Sequence, residues 1–166
     1  MPELETERLR LSPIGPHCAD ELYRLHQDPG IARWYGDWTR AEAEARAAEI
    51  GRSWHRDGVG KWLAYHRKSG ELVGRDGLSY QDVSGARRLE IGWAVREAHW
   101  GNGYATEIGL AGLTRARELR VTEVVAFTEV HNVRSRAVME RLGFTYRHDF
   151  PHRGEPFALY AISQSD

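Results

Sequence analysis

Three runs of strand-forming residues, Trp62 to Arg67, Leu72 to Tyr80 and Leu89 to Val95, follow one another with little chain between them. The connections, Lys68-Ser69-Gly70-Glu71 and Asp82-Val83-Ser84-Gly85, are rich in turn formers. Links this short join antiparallel neighbours, so the segment predicts a meander. The next stretch changes the pattern. A helical run from about Tyr104 to Leu119 leads to an apolar run, Val121 to Val130, and then to a second helix, Arg134 to Leu142. Two strands, Phe144 to Phe150 and Phe157 to Ile162, close the chain. A helix between two strands crosses over the sheet and demands at least one parallel pairing. A mixed sheet flanked by helices, in the α+β class, is the expected architecture.

The N-terminal third supplies the remaining elements. Arg8-Leu9-Arg10-Leu11 alternates as a half-buried strand does. Pro16 opens a helix whose Cys18, Leu22 and Leu25 recur on one face, and Asp28-Pro29 is expected to end it. Thr39-Arg40-Ala41-Glu42 has capping-box spacing and starts a helix that runs to about Arg56, where Asp57-Gly58 breaks it. With 166 residues and no linker or repeat, residues 1–166 are expected to form one domain.

Composition removes several classes of function. There are 23 basic against 24 acidic residues, so no global charge draws the chain to nucleic acid or an anionic membrane. The single cysteine, Cys18, leaves no internal disulfide and no paired-cysteine zinc site, and reads as a small buried hydrophobe. The eight histidines show no tight ligand spacing, so no metal is expected. No apolar run reaches the ~20 residues of a membrane span, and the start, MPELETERLRL, lacks a signal-peptide core. A cytoplasmic protein is expected.

The most informative segment is Trp100-Gly101-Asn102-Gly103-Tyr104-Ala105-Thr106. Gly101 and Gly103 permit positive φ between a strand and a helix, which leaves amide N–H groups aimed outwards at the positive end of the helix dipole. Such a turn suits a phosphate, although it also serves as a plain strand-to-helix turn. It carries no Gly-Lys-Ser/Thr and no third glycine, so neither nucleotide fingerprint applies.

The company of this turn is more specific. Leu89-Glu90-Ile91-Gly92-Trp93-Ala94-Val95, the glycine turn with Glu107, Asn132-Val133-Arg134-Ser135 and Glu140-Arg141-Leu142-Gly143-Phe144 occur in that order. Together they resemble the GNAT N-acetyltransferase superfamily. With Glu5-Thr6-Glu7-Arg8-Leu9-Arg10-Leu11 at the start, the chain looks most like its Rim-type branch of ribosomal-protein N-terminal acetyltransferases. The resemblance covers essentially the whole chain. It implies a GNAT-like fold, with a mostly antiparallel sheet of about seven strands, about four helices and a splayed central strand pair. It also implies direct transfer of acetyl from acetyl-CoA to a primary amine in a ternary complex. One departure stands out: Trp100 occupies a position where the superfamily usually has Gln or Arg. Main-chain donors from Gly101 to Thr106 must then carry most of the phosphate binding.

The resemblance also assigns roles. Glu90 is the candidate base acting through water; the alternative is a surface strand residue paired with Arg87 or Arg88. Asn132 contacts the pantetheine arm and Ser135 lies near the thioester sulfur, although both residue types also cap helices. Met139 stands where many relatives carry an acid tyrosine, so Ser135 or an ordered water becomes the candidate acid. Trp93, Ala94 and Val95 offer strand backbone to pantetheine like an added strand. The cofactor set is thus Trp93, Ala94, Val95, Trp100, Gly101, Asn102, Gly103, Tyr104, Ala105, Thr106, Asn132 and Ser135.

For the acceptor, Trp34, Tyr35 and Trp38 are the candidate contacts, with core packing as their alternative. His99 and His131 flank the supposed site. Partners are acetyl-CoA and an amine, with a homodimer expected only from family habit. Three competing readings are a non-catalytic acyl-CoA-binding regulator, a small-molecule amine or antibiotic acetyltransferase, and a nucleotide-phosphate enzyme.

Overall fold

The chain enters the sheet through a two-residue strand, β1 (Leu4–Glu5), antiparallel to β2 (Leu9–Pro13) in a computed structural model that describes residues 3–165. Leu9 and Leu11, the apolar half of the alternation, are fully buried. A short 3₁₀ turn at Pro16–Cys18 leads into α1 (Ala19–Leu25), which buries Leu22 and Leu25 as its periodicity requires.

Asp28-Pro29 then departs from expectation. Instead of only ending helical structure, it begins α2 (Pro29–Tyr35). The Asp28 carboxylate accepts from the Gly30 amide at 3.1 Å, and Pro29 occupies the first turn, where its missing N–H is no loss. Trp34 and Tyr35 therefore project from a helix. α3 (Arg40–Asp57) starts at the expected capping box, with Thr39 and Glu42 satisfying each other's amides, and stops at Gly58 with φ +71°.

The meander follows as β3 (Lys61–His66), β4 (Leu72–Val83) and β5 (Ala86–Ile91), each antiparallel to the next. The expected continuous strand to Val95 is broken at Gly92-Trp93, and its end is a separate β6 (Ala94–Val95). β6 pairs with the first half of β4, Gly74 opposite Val95, whereas β5 pairs with the second half from Leu78 onward. At the changeover, Asp76 takes φ +146° and Gly77 φ +157°. After a 3₁₀ turn at Glu97–His99 come α4 (Tyr104–Glu118), β7 (Glu123–Glu129), α5 (Val133–Arg141), β8 (Thr145–His152) and β9 (Glu155–Ser163).

The sheet order is β1-β2-β3-β4-β5-β7-β9-β8, with β6 beside β4. Among the described residues this makes nine strands and five α-helices, against about seven and four expected; β1, β6 and α2 account for the difference. The α+β class and the mostly antiparallel sheet are as expected. β5 and β7 are parallel but share one register pair, Glu90 opposite Val125. Because β6 stays with β4, it diverges from the end of β7 and a wedge opens between them. Alternation along β3 divides the core: Trp62 and Ala64 join the cluster under α4, while Leu63 packs with Leu22, Ile31 and Ala43 of α1–α3. Among the described residues, no helix is long and apolar enough to cross a membrane.

Candidate active site

The wedge holds a cavity of about 450 Å³, lined by Ala94 and Val95, by the glycine turn and by the first turns of α5. Gly101 and Gly103 take φ of +82° and +81°, conformations that glycine adopts without strain. Gly103 is the N-cap of α4 and no side chain caps that helix. The amides of its first turn therefore face the cavity with the dipole behind them. Trp100, Tyr104, Ala105 and Thr106 share the lining.

Asn102 does not line this cavity. Its amide turns back to donate to the carbonyls of His99 (3.0 Å) and Trp100 (3.3 Å), so it braces the bend from behind. Trp100 Nε1 donates to Val95 O at 2.8 Å, and the Tyr35 hydroxyl donates to Trp93 O at 2.5 Å. Two carbonyls expected to meet pantetheine are thus already engaged, each with a second lone pair still available. Arg134 lies over the Trp100 indole, its guanidinium 4.4 Å from the ring centroid, and lines the same cavity.

Asn132 caps α5. Its Oδ1 accepts from the Ser135 amide (3.3 Å), while its Nδ2 donates to Thr128 Oγ1 (3.1 Å). Ser135 is buried, and its Oγ accepts from Trp93 Nε1 at 3.2 Å, which leaves its own proton free to donate. The capping geometry and the expected proximity to the coenzyme are therefore compatible.

A second cavity, of about 240 Å³, lies on the other side of Trp34, Tyr35, Trp93 and Ser135, which line both. The two spaces meet at one wall, so groups bound in each can approach there. Trp38 and the buried Met139 also line the second cavity. His131 lies against Trp34, ring centroids 5.2 Å apart, and His99 lines the first cavity.

Glu90 faces this second cavity. Arg87 bonds to Asp57 and Arg88 to Glu123, so neither is its partner. Burial, above all, pushes its carboxyl up to about 8. Lys61, Arg75 and the Ser79 hydroxyl oppose that rise, and Asp76 reinforces it. Burial likewise raises the Tyr35 phenol well above its ordinary range, which keeps it a neutral hydrogen-bond donor.

Arg75, Asp76 and Lys61 were not among the residues expected at the site. The signal was present in Gly74-Arg75-Asp76-Gly77, a charged pair between glycines inside a strand. A Cβ at Gly74 would lie 2.1 Å from Ala94 O, and one at Gly77 2.6 Å from Gly60 O, so both glycines mark close backbone approach. Among the described residues, no group of three or more His, Cys, Asp or Glu is placed to hold a metal.

The sequence profile of the Acetyltransferase (GNAT) domain matches residues 8–145. The chain belongs to the GNAT acetyltransferase family. As a GNAT acetyltransferase it is an acetyl-CoA-dependent acyltransferase. It is 31% identical to an FsC-acetyl coenzyme A-N(2)-transacetylase of Aspergillus fumigatus, over 99% of this chain and 77% of that one. A solved structure from Bordetella pertussis, assigned to the same family, is 27% identical with a TM-score of 0.88, covering 98% and 99% of the two chains. A ribosomal L7/L12 α-N-protein acetyltransferase in complex with coenzyme A shares the fold, with 18% identity, a TM-score of 0.78 and 98% of each chain covered. The uncapped amides of α4, the adjoining Arg134 and the open wedge suit the phosphates and arm of the coenzyme that GNAT enzymes use.

Proposed function

We propose that this GNAT enzyme transfers acetyl directly from acetyl-CoA to an α-amine, with a protein N-terminus as acceptor, as a member of the Rim-type branch. Glu90 is the base and Ser135 the hydrogen-bond donor to the leaving sulfur. The observation that carries this reading is Glu90 in the acceptor cavity with its carboxyl pushed up to about 8. An ordinary glutamate near ~4.3 takes a proton from an α-amine near ~7.8 at a cost of about 5 kcal/mol. At the raised value that transfer is nearly level, whereas a lysine ε-amine near ~10.4 remains uphill by roughly 3 kcal/mol. The site is matched to weakly basic amines.

In the reaction, the amine nitrogen attacks the thioester carbon, and its excess proton passes to Glu90, directly or through one water. As the carbon–sulfur bond breaks, the thiolate accepts a hydrogen bond from Ser135, whose other contact to Trp93 fixes the direction of its hydroxyl. A thiol near ~8.5 needs little more help than this.

A coenzyme-A release assay over a panel of amines tests the proposal. Peptide α-amines are expected to turn over faster than Nα-blocked lysine, polyamines or aminoglycosides. Coenzyme binding without turnover on any amine would favour the regulator reading instead. Arg134 provides a separate check on the coenzyme side. Arg134→Gln is expected to weaken acetyl-CoA binding by about 10-fold or more, since hydrogen bonds to charged groups contribute roughly 1.5–3 kcal/mol. Calorimetry with dephospho-coenzyme A locates the contact: the loss persists if Arg134 meets the pyrophosphate and vanishes if it meets the 3′-phosphate.

A further inference from the structure

Beneath the acceptor cavity lies a charged set that takes no direct part in the transfer. Arg75 and Asp76 sit in the middle of β4, 4% and 2% exposed. Asp76 Oδ1 lies 2.6 Å from Lys61 Nζ and 3.5 Å from Arg75 Nη1. Arg75 donates through Nε and Nη2 to His26 Nε2, at 3.1 and 3.0 Å. The imidazole in turn donates from Nδ1 to Gly36 O at 2.7 Å and stacks on Trp38 with centroids 3.4 Å apart. Burial and the Arg75 charge hold that ring neutral, its pKa lowered to about 3. Arg75 is thereby fixed on one side by a neutral acceptor and on the other by a carboxylate.

Gly92 shows how near this set comes to Glu90. A Cβ there would lie 2.5 Å from Asp76 Oδ2 and 3.3 Å from Glu90 Oε2, so the two carboxyl groups crowd the same point. The backbone at Asp76 adds to the observation, since φ +146° is a region that residues other than glycine rarely occupy. It occurs where β4 changes partners and turns this carboxylate towards the cavity floor.

We infer that Asp76, held between Lys61 and Arg75, adds to the effect of burial in opposing the ionisation of Glu90 and is a positioning residue for the base. The functional meaning rests on Glu90 acting as that base; the coupling itself does not. Lys61 and Arg75 pair with Asp76, and a carboxylate beside the partly buried Glu90 carboxyl opposes its ionisation. At close range Glu90 faces Lys61 of β3, Arg75, Asp76 and Ser79 of β4, and Tyr35 of α2. Across the cavity stand Glu129 of β7, His152 and Arg153 at the β8–β9 turn, Arg46 of α3 over Trp38, and Arg56 paired with Glu49. Of the close set, Asp76 alone carries negative charge.

Opposite shifts are therefore expected from the two ends of one ion pair. Asp76→Asn leaves Lys61 and Arg75 uncompensated beside Glu90 and lowers its titration midpoint by about one pH unit or more. Lys61→Met removes a cation and raises the midpoint. Carboxyl ¹³C NMR of Glu90 in the coenzyme-free protein reads both directly, and acetyl-CoA binding verifies that each variant is folded. The acid limb of kcat/KM should move with the NMR midpoint. Midpoints that stay at the wild-type value, or that move the same way, overturn the inference. If Asp76→Asn does not fold, the direction in Lys61→Met decides alone. Midpoints that shift as expected while Glu90→Gln keeps full turnover would instead reject Glu90 as the base and leave the coupling standing.

Discussion

Glu90→Gln lowers kcat/KM for an α-amine acceptor by about 10²- to 10⁴-fold at pH 8, the range that general base catalysis supplies. Acetyl-CoA affinity stays unchanged, because Glu90 lines the acceptor cavity and not the coenzyme cavity. The part of the wild-type rise that follows the Glu90 carboxyl disappears in the variant, which keeps only the rise from the amine's own titration near ~7.8. Steady-state kinetics across pH 6–9, with calorimetry for the coenzyme, check both statements. Full turnover in the variant removes Glu90 from the mechanism.

The same substitution has a second effect, on stability, with a definite sign. The folded carboxyl titrates near 8 and the unfolded one near 4.5, so the folded protein holds the proton more tightly. Below pH 4.5 both states are protonated and the residue contributes no penalty. The penalty grows as pH rises towards 8 and is complete above it. Glutamine has the same shape without the charge, so Glu90→Gln melts higher than wild type at pH 9 and alike at pH 4.5. The gap between 4.5 and 8 corresponds to about 5 kcal/mol, or roughly 10–20 °C in a chain of this size. Thermal melts of the coenzyme-free protein show whether the gap opens with pH.

How much of this was legible in the residues varied with the range of the interaction. The meander, the capping box at Thr39 and the glycine turn are local, and each formed where the sequence placed it. Asp28-Pro29 was ambiguous for a local reason: an acidic cap followed by proline starts a helix as readily as it follows one. Burial of Ile31 against the α1–α3 core, a tertiary effect, selects the start. β1 and β6 have two residues each, too few to show alternation.

The site divided in the same way. Glu90 could be read as cavity-facing or as paired with its arginine neighbours, and strand parity alone does not choose. The answer lay in Asp57 and Glu123, distant residues that take those arginines away. The Arg75–Asp76 floor was harder still, because its partners His26 and Lys61 come from other elements. A charged pair inside an apolar strand reads as an anomaly until the fold supplies the partners. Trp34 and Tyr35 were read as acceptor contacts and Trp93 as backbone for the coenzyme arm, but the position of all three between two cavities depends on α2 and on the break at Gly92.

Gly103→Val raises the Kd for acetyl-CoA by about 100-fold or more, because the phosphate grip relies on backbone geometry that valine cannot hold. At φ +81° a β-branched residue is strongly disfavoured, so the bend relaxes and the first amides of α4 rotate away from the cavity. Losing two charge-assisted bonds at roughly 1.5–3 kcal/mol each suffices for that change. Crowding is a minor factor, since the nearest atom to an added Cβ is Nη2 of Arg8, 3.4 Å away. Gly85 supplies the control. It has φ +83° in the β4–β5 turn, with nothing within 4 Å of an added Cβ, and it lines neither cavity. Gly85→Val therefore imposes similar backbone strain and a similar loss of thermal stability, yet leaves coenzyme affinity at the wild-type value. If calorimetry finds the two variants equally weak, general destabilisation explains both. If Gly103→Val binds as wild type does, the phosphates are held by side chains, with Arg134 on its indole platform the first to examine.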